Sequence, residues 1–529
     1  MTTPQSDSRK IDTTGWWVLF ATISASSMAF IGGSALNVAL PAIQNDLGAS
    51  GGDLLWIVNS YALFLAALLL LGGSLGDHYG RKRVYMIGII IFTIASVASG
   101  FAPNANILIG ARVIQGIGGA MMIPGSLAIV SAYFDDKTRG KAIGYWSSIT
   151  TLTSIIGPII GGILAENGLW RGIFFLNIPL AILAIIALWL RVPESHDENA
   201  TPNFDVLGAV LVALAMGGIT YGAISIGELG LEGFQRLDLM GSLIGGFILM
   251  GAFIWWEGRT KEPMMPLRLF KSSTFLGTNL VTLLLYGALG GALYFFPLNL
   301  VQIQGYGEAF VGIAFLPWTL MLVILSPMMG GVVDRYGPRL PLIIGPIITG
   351  AGFAALSIPS ITTGQSQFWV TFFPATLLLG VGMGILVAPL TTAVMGSVPQ
   401  DSAGIASGIN NAMSRASQVL ALSILGGIGL IIFTSSFSPA IEALNLPTDN
   451  ETQLIAVASD LGGIQIPDRL SSEQQQAVRQ IIQSEFVAMF RIIMWIAAGL
   501  CWVSAALAWI FVDKNLSPPD TLIQETNKV

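Results

Sequence analysis

The sequence predicts an all-α polytopic membrane protein, and three observations carry that expectation. Of its 529 residues only 10% are charged and 53% are hydrophobic, whereas soluble domains carry roughly 25% charged residues. Apolar runs recur along the whole chain, many near the ~20 residues a spanning helix needs, without the short alternating strands of a membrane barrel. Finally, a charged phrase occurs twice between such runs. Residues 72–85 read "GGSLGDHYGRKRVY" and 330–339 read "GGVVDRYGPR"; counted from Gly73 and Gly330, both obey Gly-x-x-x-Asp-x-Tyr-Gly-x-(Lys/Arg).

Fourteen runs read as helices: 15–40, 54–76, 83–102, 104–130, 141–165, 171–191, 205–227, 238–257, 274–303, 309–333, 340–358, 368–396, 402–434 and 486–512. The first is longer than a signal-peptide core of roughly 7–15 residues and is read as retained. The second ends in the first charged phrase. Gly76 and Gly80 beside Asp77 permit a sharp turn, Asp77 can accept hydrogen bonds from a helix N-terminus, and Arg81 and Lys82 can tether the turn to acids or lipid headgroups. The fourth carries Arg112, and a charge inside the membrane costs about 2.5–3.5 kcal/mol on insertion scales. Gln115, Gly116 and Gly119 follow it on one face. That face is expected either to line an aqueous path or to leave Arg112 capping loose carbonyls.

The fifth helix sets Thr153, Gly157, Gly161 and Ala165 four residues apart, beside Gly162, a small-residue row suited to close packing; Pro158 bends it. Its last acid, Glu166, is a candidate proton-coupling group if partly buried. Helices 7 and 8 read as an insertion, with Asp205, Asp238 and Glu257 as helix-end residues. Helix 9 places Asn279, Thr282 and Tyr286 on one face. Helix 10 ends in the second charged phrase, with Asp334, Arg335 and Gly337. "GVGMG" (380–384) lies inside helix 12 and reads as packing. Helix 13 carries a polar stripe of Ser407, Asn411, Ser414, Arg415 and Gln418, which needs a wet cavity or partners. Both stripes are candidates for a central cavity, with hydrogen bonding between helices as the alternative; Asn37 and Tyr61 join the candidate path from helices 1 and 2. Residues 437–485, with the helix-like run "SEQQQAVRQIIQSEF", read as a helical cap on the outer side. The single cysteine, Cys501, allows no intramolecular disulfide.

Lysine and arginine set the orientation. With both termini in the cytoplasm, most of the 24 fall on the cytoplasmic side; Arg171, Arg236, Arg469 and Arg479 fall outside, and Arg112, Arg415 and Arg491 lie within helices. The two charged phrases then occupy the same place in two parallel six-helix sets, provided that helices 7 and 8 link them. Internal repeats of this kind point to a secondary transporter. The expected organisation is a tail (1–14), a first bundle (15–195), a linker with two helices (196–270), a second bundle (271–513) and a tail (514–529). The two histidines, His78 and His196, sit in expected cytoplasmic loops. There is no His/Cys metal set and no phosphate loop, so an enzyme, a cofactor and a nucleic-acid partner are not expected. Transport would draw on an ion gradient or on the substrate's own gradient.

The chain resembles the major facilitator superfamily and, within it, the fourteen-helix drug:proton antiporters of the multidrug efflux type. "GGSLGDHYGRKR" is similar to the family's loop between helices 2 and 3, "LIGARVIQGIGGA" (108–120) to its helix 4 motif, "TSIIGPIIGG" (153–162) to its antiporter motif, "LNVALP" (36–41) to the end of its first-helix motif, and "WRGIFFLNIP" (170–179) to the start of its helix 6. The resemblance implies a major facilitator fold of two six-helix bundles plus two linking helices in the bacterial inner membrane. It implies export of small amphipathic or lipid-like compounds by alternating access in exchange for protons, with Asp77 latching onto the segment near Ser402. One position departs: the acid usual five residues before the Asn of "NVALP" is Gly32 here. That keeps a lipid or metabolite exporter, or an uncoupled carrier, as the alternative, with a non-transporting receptor or scaffold behind it.

Overall fold

In the hydrocarbon core of a bilayer every backbone N–H and C=O must be satisfied within the chain, and an apolar run meets that demand by becoming a helix. The computed structural model describes residues 11–196 and 205–514; the outer parts of both expected tails, residues 197–204 of the linker and the Asp334 side chain lie outside the described residues. Among these, fourteen helices are long and apolar enough to span: α1 Thr13–Leu47, α2 Gly51–Tyr79, α3 Arg81–Gly100, α4 Ala105–Tyr133, α5 Thr138–Glu166, α6 Gly172–Arg191, α7 Val206–Glu228, α8 Leu237–Glu257, α9 Ser273–Ile303, α10 Glu308–Val333, α11 Arg339–Leu356, α12 Phe373–Gly396, α13 Ala403–Glu442 and α14 Ser472–Phe511. The number agrees with the sequence reading, but several ends do not. α1, α13 and α14 run past the apolar stretch into polar sequence. The run "SEQQQAVRQIIQSEF", expected as a separate piece of the cap, is the first part of α14, started by a capping box of Ser471 and Gln474.

The halves repeat one packing pattern. In the first, α1 packs on α5 and α6, α4 on α2 and α3, and α3 on α6. In the second, α9 packs on α13 and α14, α12 on α10 and α11, and α11 on α14. The linking helices are not equivalent. α7 lies against both α2 and α13, whereas α8 packs on α7 and turns much of its surface outward.

Each charged turn is covered by the chain that follows the last helix of its own half. Gly80 has φ +106° and Gly337 φ +75°, both in the region that favours glycine. Beyond α6, Glu194 accepts from the backbone N–H groups of Lys82 (2.8 Å) and Arg83 (3.1 Å), and Arg81 donates to the Ser195 carbonyl at 2.8 Å. Beyond α14, Lys514 lies over Gly337 so closely that a β-carbon there would stand 1.9 Å from its carbonyl oxygen. Replacing Gly337 with alanine therefore forces both a strained backbone, at roughly 1–3 kcal/mol, and a clash. The expected outcome is a thermal midpoint lower by several degrees in detergent, while Gly330→Ala, where a β-carbon meets nothing within 4 Å, leaves it unchanged.

Candidate functional site

The two halves enclose a cavity of about 560 Å³, within the range of small-molecule sites. Its wall comes from helices of both halves: Phe30, Ser34 and Asn37 of α1, Asn59 of α2, Thr150, Ser154 and Pro158 of α5, Tyr286, Leu289 and Tyr294 of α9, Phe315, Trp318 and Thr319 of α10, Met383 of α12, and Gln418 and Leu422 of α13. The three α1 positions lie four and three residues apart, one helix face. Three polar atoms of this wall are buried without a hydrogen-bond partner among the described residues: Asn59 Oδ1, Tyr294 Oη and Trp318 Nε1.

The face assigned as outer by the lysine and arginine distribution, called outer below, closes the cavity. There α5 lies against α1 of its own half and α10 of the other. A β-carbon on Gly161 would sit 2.3 Å from the Ala35 carbonyl oxygen, one on Gly162 2.2 Å from the Glu308 carbonyl oxygen, and one on Gly312 2.4 Å from the Pro158 carbonyl oxygen. Only glycine permits such backbone contact. Hydrogen bonds join the halves around it: the Ala309 N–H donates to Glu166 at 2.8 Å, Gln302 Nε2 to Gln44 Oε1 at 2.7 Å, Gln44 Nε2 to the Asp460 carbonyl at 3.0 Å, and Asn59 Nδ2 to Ser423 Oγ at 3.2 Å. Ser423 passes the chain on to Thr220 of α7 at 2.9 Å. The bonds that the structure records between the halves lie at this face or at mid-membrane. On the opposite face Asp77 accepts from Arg81 of its own turn at 2.7 Å, and no recorded bond among the described residues ties it to the segment near Ser402.

The structure divides the candidate path residues. Asn37 and Tyr286 wall the cavity. Arg415 is half-buried one turn before Gln418 on the same face of α13, and Asn411, further along, is exposed, donating to the Ser407 carbonyl at 3.1 Å. The others sit in helix interfaces. Arg112, 1% exposed, donates to the Ile57 carbonyl at 3.2 Å and to Gln115 Oε1 at 2.7 Å, with its guanidinium 4.2 Å from the Tyr61 ring centroid. The face holding Gln115, Gly116 and Gly119 is turned to α2 rather than to the path: a β-carbon on Gly116 would stand 2.5 Å from the Tyr61 carbonyl oxygen. Asn279 is buried and accepts from Asn410 at 3.2 Å, as Thr282 does at 2.7 Å. Glu166 is exposed at the outer rim and caps the start of α10. Gly157 and Pro158 join Gly161 and Gly162 in the α5 contact; Gly157 faces Ser34, whose Oγ would lie 2.0 Å from an added β-carbon. Asn59, Tyr294, Trp318 and Asn410 escaped the sequence reading. Asn59 stands beside Ser60 and Tyr61, Tyr294 beside Phe295 and Phe296, and Asn410 beside Asn411 of the polar stripe, so no spacing sets them apart from their neighbours.

The outer seam also holds acids. Ser50 Oγ donates to Glu228 at 2.9 Å, and Asp53 accepts from the Ser50 N–H at 3.0 Å. Asp460, from the segment between α13 and α14, faces both acids. Burial first, then the charges of Asp53 and Glu228, push its carboxyl up to about 6.

A family model described as Major Facilitator Superfamily matches residues 22–422. The Tetracenomycin C resistance and export protein of Streptomyces glaucescens is 29% identical over 89% of this chain and 87% of its own length. The Multidrug resistance protein Stp of Mycobacterium tuberculosis is 32% identical over 80% and 78%, and the Methyl viologen resistance protein SmvA of Salmonella typhimurium is 30% identical over 89% and 93%. Among solved structures, a bacterial homologue of the human lysosomal transporter Spinster, inward-facing and unoccupied, aligns with TM-score 0.65 at 18% identity over 96% of this chain and all of that one.

Because the Asp460 carboxyl ionises less readily in the seam than in water, its protonated form favours the closed outer face. That contribution is complete below the ordinary aspartate value and is lost as the pH rises through about 6. Spin labels on the exposed outer residues Asn167 and Ser366, in a Cys501→Ala background, should report one short distance at about pH 5 and a growing long-distance population towards about pH 8. Asp460→Asn should flatten that response; a parent protein that does not respond to pH would show that the seam acids do not govern closure.

Proposed function

We infer how the chain works from one premise: it belongs to the major facilitator superfamily, and it is a multi-pass membrane transporter rather than an enzyme. We propose the finer reading that it exports amphipathic compounds from the cytoplasm by alternating access. One observation carries this reading. A mainly apolar cavity with a few polar groups lies between two six-helix bundles, and at the outer face close backbone contacts and hydrogen bonds join the bundles. Apolar walls with sparse polar groups suit bulky, greasy ligands. Relatives named for tetracenomycin C export and for multidrug resistance support the direction and the substrate type. Relatives from bacteria support an inner-membrane location, and the lysine and arginine distribution supports placing both termini in the cytoplasm.

In this reading the structure is the cytoplasm-facing state. A ligand enters between the halves, the outer seam parts, and the charged turns close the cytoplasmic side. Asp77 then exchanges Arg81 for the helix N-terminus near Ser402, where partial positive charge favours a carboxylate. No phosphate-binding loop occurs in the sequence, so the energy comes from a gradient, and we propose proton exchange. A second reading, carriage down the substrate's own gradient, is favoured by one observation: none of the described residues that wall the cavity is acidic, and the first-helix position that would hold an acid is Gly32.

Purified protein in liposomes with an internal pH dye separates these readings. Under an imposed proton gradient, adding a fluorescent amphiphile should produce protein-dependent movement of both the compound and protons. Compound movement without protons would select the uncoupled carrier; immobility of every amphiphile tried would end the exporter reading. Asp77→Asn should lower transport at least tenfold at equal expression, whereas a receptor or scaffold would be indifferent to it.

A further inference from the structure

The cavity's charge is one-sided. None of its described wall residues is ionisable as an acid or a base at neutral pH, yet two cations flank it. Arg112 is satisfied, with two hydrogen bonds and the Tyr61 ring. Arg415 is not. It is half-buried at mid-helix, three residues from the wall residue Gln418 on the same face of α13. Neither an ion pair nor a hydrogen bond to its guanidinium forms among the described residues. A charge inside a membrane span is costly unless it is compensated, and none of the described residues supplies Arg415 with a counter-charge.

Two of the unpaired hydrogen-bonding groups of the wall can donate to an acid group. Trp318 Nε1 is a donor without a partner, Asn59 Oδ1 is an acceptor without one, and the unpartnered hydroxyl of Tyr294, which is 3% exposed, can donate or accept. Donors call for a ligand rich in acceptor oxygens. The aromatic wall works against this, because ring faces attract cations. That attraction acts only at contact distance, whereas the field of a full charge in a poorly screened interior reaches further. We propose that the cavity selects anionic amphiphiles over cationic ones, with the acid group towards Arg415 and the apolar body against Tyr286, Tyr294 and Trp318. The inference rests on the exporter reading and adds the charge of the substrate.

The test uses three probes of one shape: 1-pyrenebutyrate, 1-pyrenebutanol and 1-pyrenebutylammonium. Binding to the full-length protein is read by energy transfer from tryptophan, and transport by flux in proteoliposomes. The butyrate should bind at least tenfold tighter than the ammonium, with the alcohol between them. Arg415→Gln should weaken the butyrate at least tenfold and leave the alcohol unchanged; Arg415→Lys should restore the ranking. Should the glutamine variant not fold, the parent ranking still decides, as does Asn37→Asp, which sets a negative charge in the wall and should reverse the order of butyrate and ammonium. Ammonium binding as tight as butyrate in the parent, or equal weakening of all three by Arg415→Gln, would overturn the inference. Preferential export of the ammonium also overturns it while leaving the exporter reading intact. The expected binding order without flux of any probe leaves the charge inference standing and counts against export.

Discussion

At the outer seam backbone meets backbone, and the rest of the structure depends on that contact. α5 lies so close to α1 and to α10 that Gly161, Gly162 and Gly312 leave no room for a β-carbon. In lipid no hydrophobic force draws helices together; close van der Waals approach and hydrogen bonds do so instead. The small-residue row provides the first, and the bonds from Ala309 to Glu166 and from Gln302 to Gln44 provide the second. Pro158 belongs both to this contact and to the cavity wall, so seam and cavity are two ends of one surface. A ligand that presses on the wall presses on the seam.

The same helices explain why the cavity is sparse in polar groups. Most buried polar side chains are already used in holding helices together: Arg112 on α2, Asn410 on Asn279 and Thr282, Ser423 between Asn59 and Thr220. What remains for a ligand is aromatic surface, a few unpaired groups and the field of Arg415. α7 is part of this arrangement rather than an appendage. It bonds to Ser423 at mid-membrane and to Ser50 at the outer end, so it follows the seam between the halves.

The architecture was legible in the sequence because the bilayer makes it so: fourteen apolar runs can satisfy their backbones only as helices, and the repeated turn marked the two halves. The positive φ of Gly80 and Gly337 gives that repeat a physical basis. Helix ends were less legible. α13 and α14, 40 residues each, are about twice the length a span needs, and in their polar ends hydropathy no longer reports on helicity. The site was legible only in part. Periodicity showed that Asn279, Thr282 and Tyr286 share a face, but not that α13 covers its first two members. It marked Arg112 as costly, yet the carbonyl and the ring that satisfy it come from α2, some fifty residues earlier in the sequence. Partners distant in sequence leave no trace in a local pattern.

The outer seam, closed here, must part for a ligand to leave the cavity. Cysteines at Glu166 and Gly307, where a β-carbon on Gly307 would lie 3.2 Å from a Glu166 carboxylate oxygen, can be oxidised across it in a Cys501→Ala background. The bond should form in substrate-free proteoliposomes, stop transport of a fluorescent amphiphile, and release it on reduction. Transport that continues with the bond in place would contradict it.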